Sequence, residues 1–207
     1  VIYARDYRNI YDNLTDYLLP AIIGKDPLEI GSLHTILDGA LPLCRDGKNG
    51  VDAAAYDLAG KQLGVSVSTL LGGTRLEEIS MIAPIGSVPP EQAAETASEF
   101  VAKGYKYLNL KLGLDWRKDV QRAVAVREAV GPDITLKGDA NAVYSRDDAL
   151  KALRGLRDVG LQHFEQPLSQ HDIVGHAALA QRTSIPLCAD ESLQTLQDAF
   201  NILKADA

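Results

Sequence analysis

The stretch 161-LQHFEQPL-168 sets the terms for reading the chain. Residues 161–164 read as a short buried strand that runs into Glu165 and stops at Pro167. A carboxylate at the buried end of a strand is costly unless something pairs with it. Two similar endings flank this one, 138-GDAN-141 and 189-ADES-192, and the strand before them ends in 108-LNLKLG-113. Lys111, Asp139, Glu165 and Asp190 are thus spaced by 28, 26 and 25 residues, and each reads as the end of a strand.

Working outward, strands are expected over 79–85, 105–112, 134–139, 162–165 and 186–190. Helices are expected over 89–103, 116–130, 146–159, 172–182 and 193–204. Asp115 is the expected cap of the second helix, and 145-SRDD-148 resembles a capping box for the third. Five strand–helix units in succession imply a parallel sheet with crossover helices. Their length fits a (β/α)8 TIM-type barrel, where chemistry sits at the C-terminal ends of the strands. A doubly wound open sheet is the competing architecture. It usually carries a glycine-rich phosphate turn after its first strand, and 83-APIGSVPP-90 is not one. The expected fold class is therefore α/β, a partial barrel of five units over 76–207.

Residues 1–75 carry helical periodicity only. Helices are expected over 4–19, over 27–37 with Asp26 as N-cap, and over 49–63 with Gly64 as the stop. The segment 70-LLGG-73 reads as a turn.

Composition narrows the function classes. The 207 residues carry a net charge of -7, from 28 acidic and 21 basic residues. That argues against nucleic acid as a partner, which calls for clustered Lys and Arg. No apolar run approaches the roughly 18 residues of a membrane span. Cys44 and Cys188 have no close spacing and read as free thiols of a reducing compartment, hence a cytoplasmic expectation. Val1 is not an initiator Met, so a longer protein is expected.

Three carboxylates on neighbouring strand ends repel one another unless a cation intervenes. Carboxylate oxygens without His or Cys at ligand spacing favour Mg²⁺, with Mn²⁺ as the alternative, over Zn²⁺. Asp139, Glu165 and Asp190 are the candidate ligands. Alternation puts Asn109 and Lys111 on one face of their strand, the inward one if Asp139 points inward. A lysine beside such a cluster is a candidate general base. His163 shares the inward face with Glu165, Cys188 reads as a small core residue, and His171 and His176 read as surface-helix residues. Asp52 and Asp57 read as structural.

At these residues the sequence resembles the mandelate racemase and muconate lactonizing branch of the enolase superfamily. The similarity also takes in 52-DAAAYDLAGKQLGVSVSTLLGG-73. The resemblance implies that residues 1–75 are the helical part of an α+β capping domain. It implies a Mg²⁺-dependent enzyme that removes the proton α to a substrate carboxylate through an enediolate. The partner is then a small carboxylate, and the full-length protein a homo-oligomer. Carried over by position, Lys111 is the base and Asp139, Glu165 and Asp190 are the metal ligands. Asn109, Lys137, Asn141 and Glu191 surround metal or substrate. Racemase, epimerase or cycloisomerase activity is the leading reading. A dehydratase acting on acid sugars or hydroxy acids is the alternative, and a non-catalytic metal-binding paralogue is another.

Two departures bear on this. The muconate-type pattern has lysine two residues before the base, where this chain has Asn109; Lys137 is the candidate to supply that charge instead. Five units do not close an eight-stranded barrel, so roughly three more are expected beyond Ala207, with the partner base among them. The isolated chain is expected to be inactive, with exposed strand edges.

Overall fold

The structure, a computed structural model, describes residues 7–73, 76 and 78–207. The chain divides into two compact units, Val1–Glu78 and Ile79–Ala207.

Among its described residues the first unit is helical. α1 (Tyr7–Asn13) passes through a π-helical turn, Leu14–Leu18, into α2 (Leu19–Ile22). The widened turn sits just ahead of Pro20, which has no N–H to donate and whose ring crowds the preceding turn. The helix therefore continues past residue 19, its expected end; residues 4–6 of that expectation lie outside the described residues. α3 runs Ile30–Ala40, three residues later than expected at each end. Asp26 does not cap it: its Oδ1 accepts from Leu28 N at 2.9 Å and closes a local turn instead. α4 (Arg45–Leu63) starts four residues early and stops at Gly64 as expected. The short α5 (Val67–Leu70), capped by Ser66, was not expected. Leu18, Leu37 and Val51 form the core of this unit.

The second unit is one five-stranded parallel sheet in the order β1-β2-β3-β4-β5. The elements are β1 (Ile82–Ile85), α6 (Pro90–Ala102), β2 (Tyr107–Lys111), α7 (Trp116–Val130) and β3 (Thr135–Asp139). They continue with α8 (Arg146–Gly155), β4 (Leu161–Glu165), α9 (Ile173–Ala180), β5 (Leu187–Cys188) and α10 (Leu196–Ala205). The expected caps are in place: Asp115 accepts from Arg117 N, and Ser145 accepts from Asp148 N. Residues 157–159 form a separate 3-10 turn rather than the end of α8.

Alternation separates the two faces of the sheet. Leu108, Leu110, Leu136 and Phe164 are fully buried against the helices. Each such side chain contributes roughly 1.5–3 kcal/mol by leaving water. Ala93, Ala97, Ala123, Ala149 and Ala152 form the helix stripes they meet, and small side chains let the helices approach closely. Gly138 suits this face: a Cβ there would stand 3.0 Å from both Leu112 and Phe164, tighter than ordinary van der Waals contact. The opposite, inward face carries Asn109, Lys111, Lys137, Asp139, His163 and Glu165.

Candidate active site

Strand register builds the site. Lys111 pairs with Asp139 across β2 and β3, Asp139 with Glu165 across β3 and β4, and Glu165 with Cys188 across β4 and β5. Residues directly opposite in a parallel pair project to the same side, so Lys111, Asp139 and Glu165 form one row at the C-terminal edge of the inward face. One row deeper, Asn109 pairs with Lys137. Asp190 was expected to end its strand. β5 instead stops at Cys188, and Asp190 follows in the loop, its N–H already taken by a side chain.

Lys111 Nζ makes an ion pair with Asp139 Oδ2 and also donates to Asn141 Oδ1 at 3.2 Å. Asp139 Oδ1 accepts from Asn141 N at 2.9 Å, and Asn141 Nδ2 donates to Glu191 Oε1 at 3.3 Å. Lys111, Asp139, Asn141 and Glu191 are thus one chain of contacts, which brings four of the expected residues together. Glu191 is buried, and its Oε2 has no hydrogen-bond partner among the described residues. Asn109 Oδ1 is likewise buried without a partner. Burial pushes the Glu165 carboxyl above its usual value, and the neighbouring charges of Asp139 and Asp190 push it further. Lys111 and Lys137 pull the other way. His163 stands 3.9 Å from Glu165 Oε2, and burial lowers its pKa.

Three groups around this row escaped the sequence reading. The first is Gln166, inside the opening stretch itself and fully buried. Its Oε1 accepts from Asp190 N at 2.9 Å and Ser192 N at 3.1 Å, and its Nε2 donates to Ser192 Oγ at 2.7 Å and Leu168 O at 3.0 Å. One side chain therefore fixes the backbone on both sides of Glu191. The second is His176, expected on the surface but buried beside Gln166. Its Nδ1 donates to Asp172 O at 3.0 Å, which leaves Nε2 to accept from Leu168 N, so the ring is neutral. Burial lowers its pKa accordingly. His171 precedes α9 and is exposed, as expected.

The third is Asp119, fully buried in the first turn of α7. It accepts from Gly113, Leu114 and Asp115 N, from Tyr144 Oη at 2.6 Å and from Arg122 Nη1 at 2.5 Å. Arg122 Nη1 and Ser87 Oγ both donate to Lys111 O, so this hub anchors the backbone that carries Lys111. Gly113 closes the turn between them with φ of 101°, and a Cβ there would meet Ala140 O at 2.5 Å. Asn141, Ala142 and Gln166 also have positive φ, so backbone strain of order 1–3 kcal/mol per residue is concentrated where the carboxylates stand. Such outliers cluster at functional sites. In the first unit Asp52 pairs with His34 and Asp57 with Lys61. Cys44 and Cys188 are free thiols.

An all-carboxylate donor set at strand ends fits a hard divalent cation. Among the described residues, however, no three His, Cys, Asp or Glu side chains converge tightly enough to hold one. Asp139 turns to Lys111 and Asn141, although a carboxylate has lone pairs to spare beyond two such bonds. The fit is one of donor chemistry and strand position, not of side-chain orientation.

Parallel strands ending in a lysine and a row of acids define an α/β protein with ionisable side chains gathered at the carboxyl edge of its sheet. The family model for the mandelate racemase / muconate lactonizing enzyme N-terminal domain matches residues 2–72, and the enolase C-terminal domain-like model matches residues 92–207. The chain belongs to this branch of the enolase superfamily. It is 32% identical over 205 residues to the N-succinyl-L-Arg/Lys racemase of Bacillus cereus, covering 99% of this chain and 56% of that protein. It is 35% identical over 184 residues to the hydrophobic dipeptide epimerase of Enterococcus faecalis, covering 89% of this chain and 52% of the other. The crystal structure of the Bacillus cereus racemase superposes with a TM-score of 0.94 at 33% identity, over 97% of this chain and 55% of that one. A dipeptide epimerase from Cytophaga hutchinsonii, complexed with Mg and D-Ala-L-Val, gives 0.89 at 29% identity, over 94% and 53%. The chain spans about half the length of the relatives it matches. Its five units are accordingly part of a TIM-type barrel.

Proposed function

We propose that the protein carrying this chain inverts the stereocentre α to a carboxylate, in a substrate of the N-acylated amino acid or dipeptide class. The row of Lys111, Asp139 and Glu165 in one register carries the reading. The substrate class comes from the relatives, among them a racemase of N-succinyl amino acids and a dipeptide epimerase.

Lys111 is the acid–base group on one face of the substrate. Its ammonium delivers a proton to the α-carbon, and its neutral amine removes one. Asn141 and Asp139 fix the direction of Nζ. The Asp119–Arg122 hub fixes the strand end beneath it. Asp139, Glu165 and Asp190, with Glu191 beside them, are the groups that would hold Mg²⁺, which when bound supplies positive charge opposite the substrate carboxylate as electron density builds there. Inversion needs a second acid–base group on the opposite face, which the family resemblance puts on a strand beyond Asp190.

The test is α-proton exchange in D₂O, followed by NMR, with full-length protein, Mg²⁺ and a panel of N-succinyl amino acids and dipeptides. Lys111→Arg keeps the positive charge but cannot serve as a base, because guanidinium stays protonated. Exchange should fall by about 10³-fold or more for the enantiomer whose α-proton faces Lys111 and persist for the other. Exchange undiminished for both enantiomers in Lys111→Arg would remove Lys111 from the chemistry, and no exchange with any panel member would remove the reading.

A further inference from the structure

The carboxylate row has an electrostatic problem that Lys111 alone does not solve. Asp139, Glu165, Asp190 and Glu191 bring four negative charges to one strand edge. Lys111 is already committed to Asp139 and Asn141. A substrate carboxylate that enters here meets repulsion unless a second cation stands nearby.

Lys137 is that cation. It lies on the inward face of β3, two residues before Asp139, and pairs in register with Asn109. Two residues of strand are roughly 6.6 Å, about the length of an extended lysine, so a lysine in the deeper row is long enough to reach the level of the carboxylates. Its charge acts on Glu165, on His163 and on Cys188, which come from β4 and β5, so its field covers the site on the side away from Lys111. It is half-buried, and among the described residues no carboxylate is within ion-pair distance of it. Across the strand pair, Asn109 Oδ1 is buried and has no hydrogen-bond partner among the described residues.

We propose that Lys137 is the substrate-positioning cation of this site, holding the substrate carboxylate beside Lys111 from the β3 side of the Asn109–Lys137 pair. The charge belongs to the pair, not to one strand, so it can be moved across. This rests on the proposed acid–base function, and the test separates the two.

In full-length protein, Lys137→Met should raise KM by about 30–100-fold, the range of one charge-assisted contact, with kcat falling less than tenfold. Moving the lysine to the other strand, in the double variant Asn109→Lys/Lys137→Asn, should bring KM back to within about fivefold. A purely structural lysine would not be rescued from a different strand. Mg²⁺ binding, measured by calorimetry without substrate, gives a readout independent of turnover. Removing a positive charge beside the ligands should tighten it about tenfold in Lys137→Met and return it to the wild-type value in the double variant. An unchanged KM in Lys137→Met, or a double variant as impaired as the single one, overturns the proposal. If wild-type protein exchanges no substrate proton, the acid–base function fails instead, and the Mg²⁺ titrations alone decide: unchanged affinity in Lys137→Met refutes the second cation.

Discussion

Asp119 and Asp139 are both buried carboxylates in the same unit, at 0% and 2% exposure, yet they live under opposite rules. Asp119 has Arg122, Tyr144 and three backbone N–H groups around its two oxygens. Burial and the Asp119 charge hold the Tyr144 phenol protonated well above its usual range, so the donor never leaves. Asp139 has Lys111 and Asn141, but it also shares its edge with Glu165, Asp190 and Glu191. One orphaned oxygen and one carboxyl with a raised pKa remain there. A satisfied polar cluster fixes a backbone. A cluster left with surplus like charge is stable only as part of something else, and that is where chemistry belongs.

The contrast can be broken most forcefully at Asp119. Asp119→Ala leaves Arg122 buried and unpaired and should cost about 3–5 kcal/mol, read from the urea midpoint; a loss under about 1 kcal/mol would mean the hub is ornamental. A middle-sized effect is expected at Gln166, which ties the acidic loop to β4. Gln166→Ala should cost about 1–3 kcal/mol and speed amide exchange at Asp190 and Ser192 but not along β2 and β3. Uniform protection across all of them would show that the loop is held by something else.

The smallest effect should have the opposite sign. Glu165 has a raised folded-state pKa, so its ionised form works against the fold. The stability tied to its protonation is present at low pH and is lost as pH rises through the folded value. In chelator, Glu165→Gln should therefore melt a few degrees above wild type near pH 7.5. The gap should close as pH falls toward the ordinary value of 4.5. A variant less stable than wild type at neutral pH would show that Glu165 is paired rather than crowded.

Much of this is legible in the sequence. Period-two alternation ending in acid or lysine anticipated the strand ends at Lys111, Asp139 and Glu165, whereas Asp190 lies past the end of β5. The cap residues Asp115 and Ser145 were legible because capping is a contact within one turn. Misses fell where a partner is distant in sequence. Asp26 carries a cap signature, but the helix begins later. His176 looked like a surface residue because its partners, Gln166 and Leu168, come from the end of β4. Gln166 stood in plain view between a glutamate and a proline, yet nothing local says that its amide reaches residues 190 and 192.

By itself, then, the sequence determined the parallel α/β architecture and pointed to the acid row, since strand periodicity and helix caps are local properties. Only the tertiary structure decided which members of that row touch: Lys111 with Asp139 and Asn141, Asn141 with Glu191, and Asn109 opposite Lys137. Register between strands more than 20 residues apart is set by how Leu108, Leu136 and Phe164 pack against the helices on the far face. That packing is a property of the folded chain and not of any window within it.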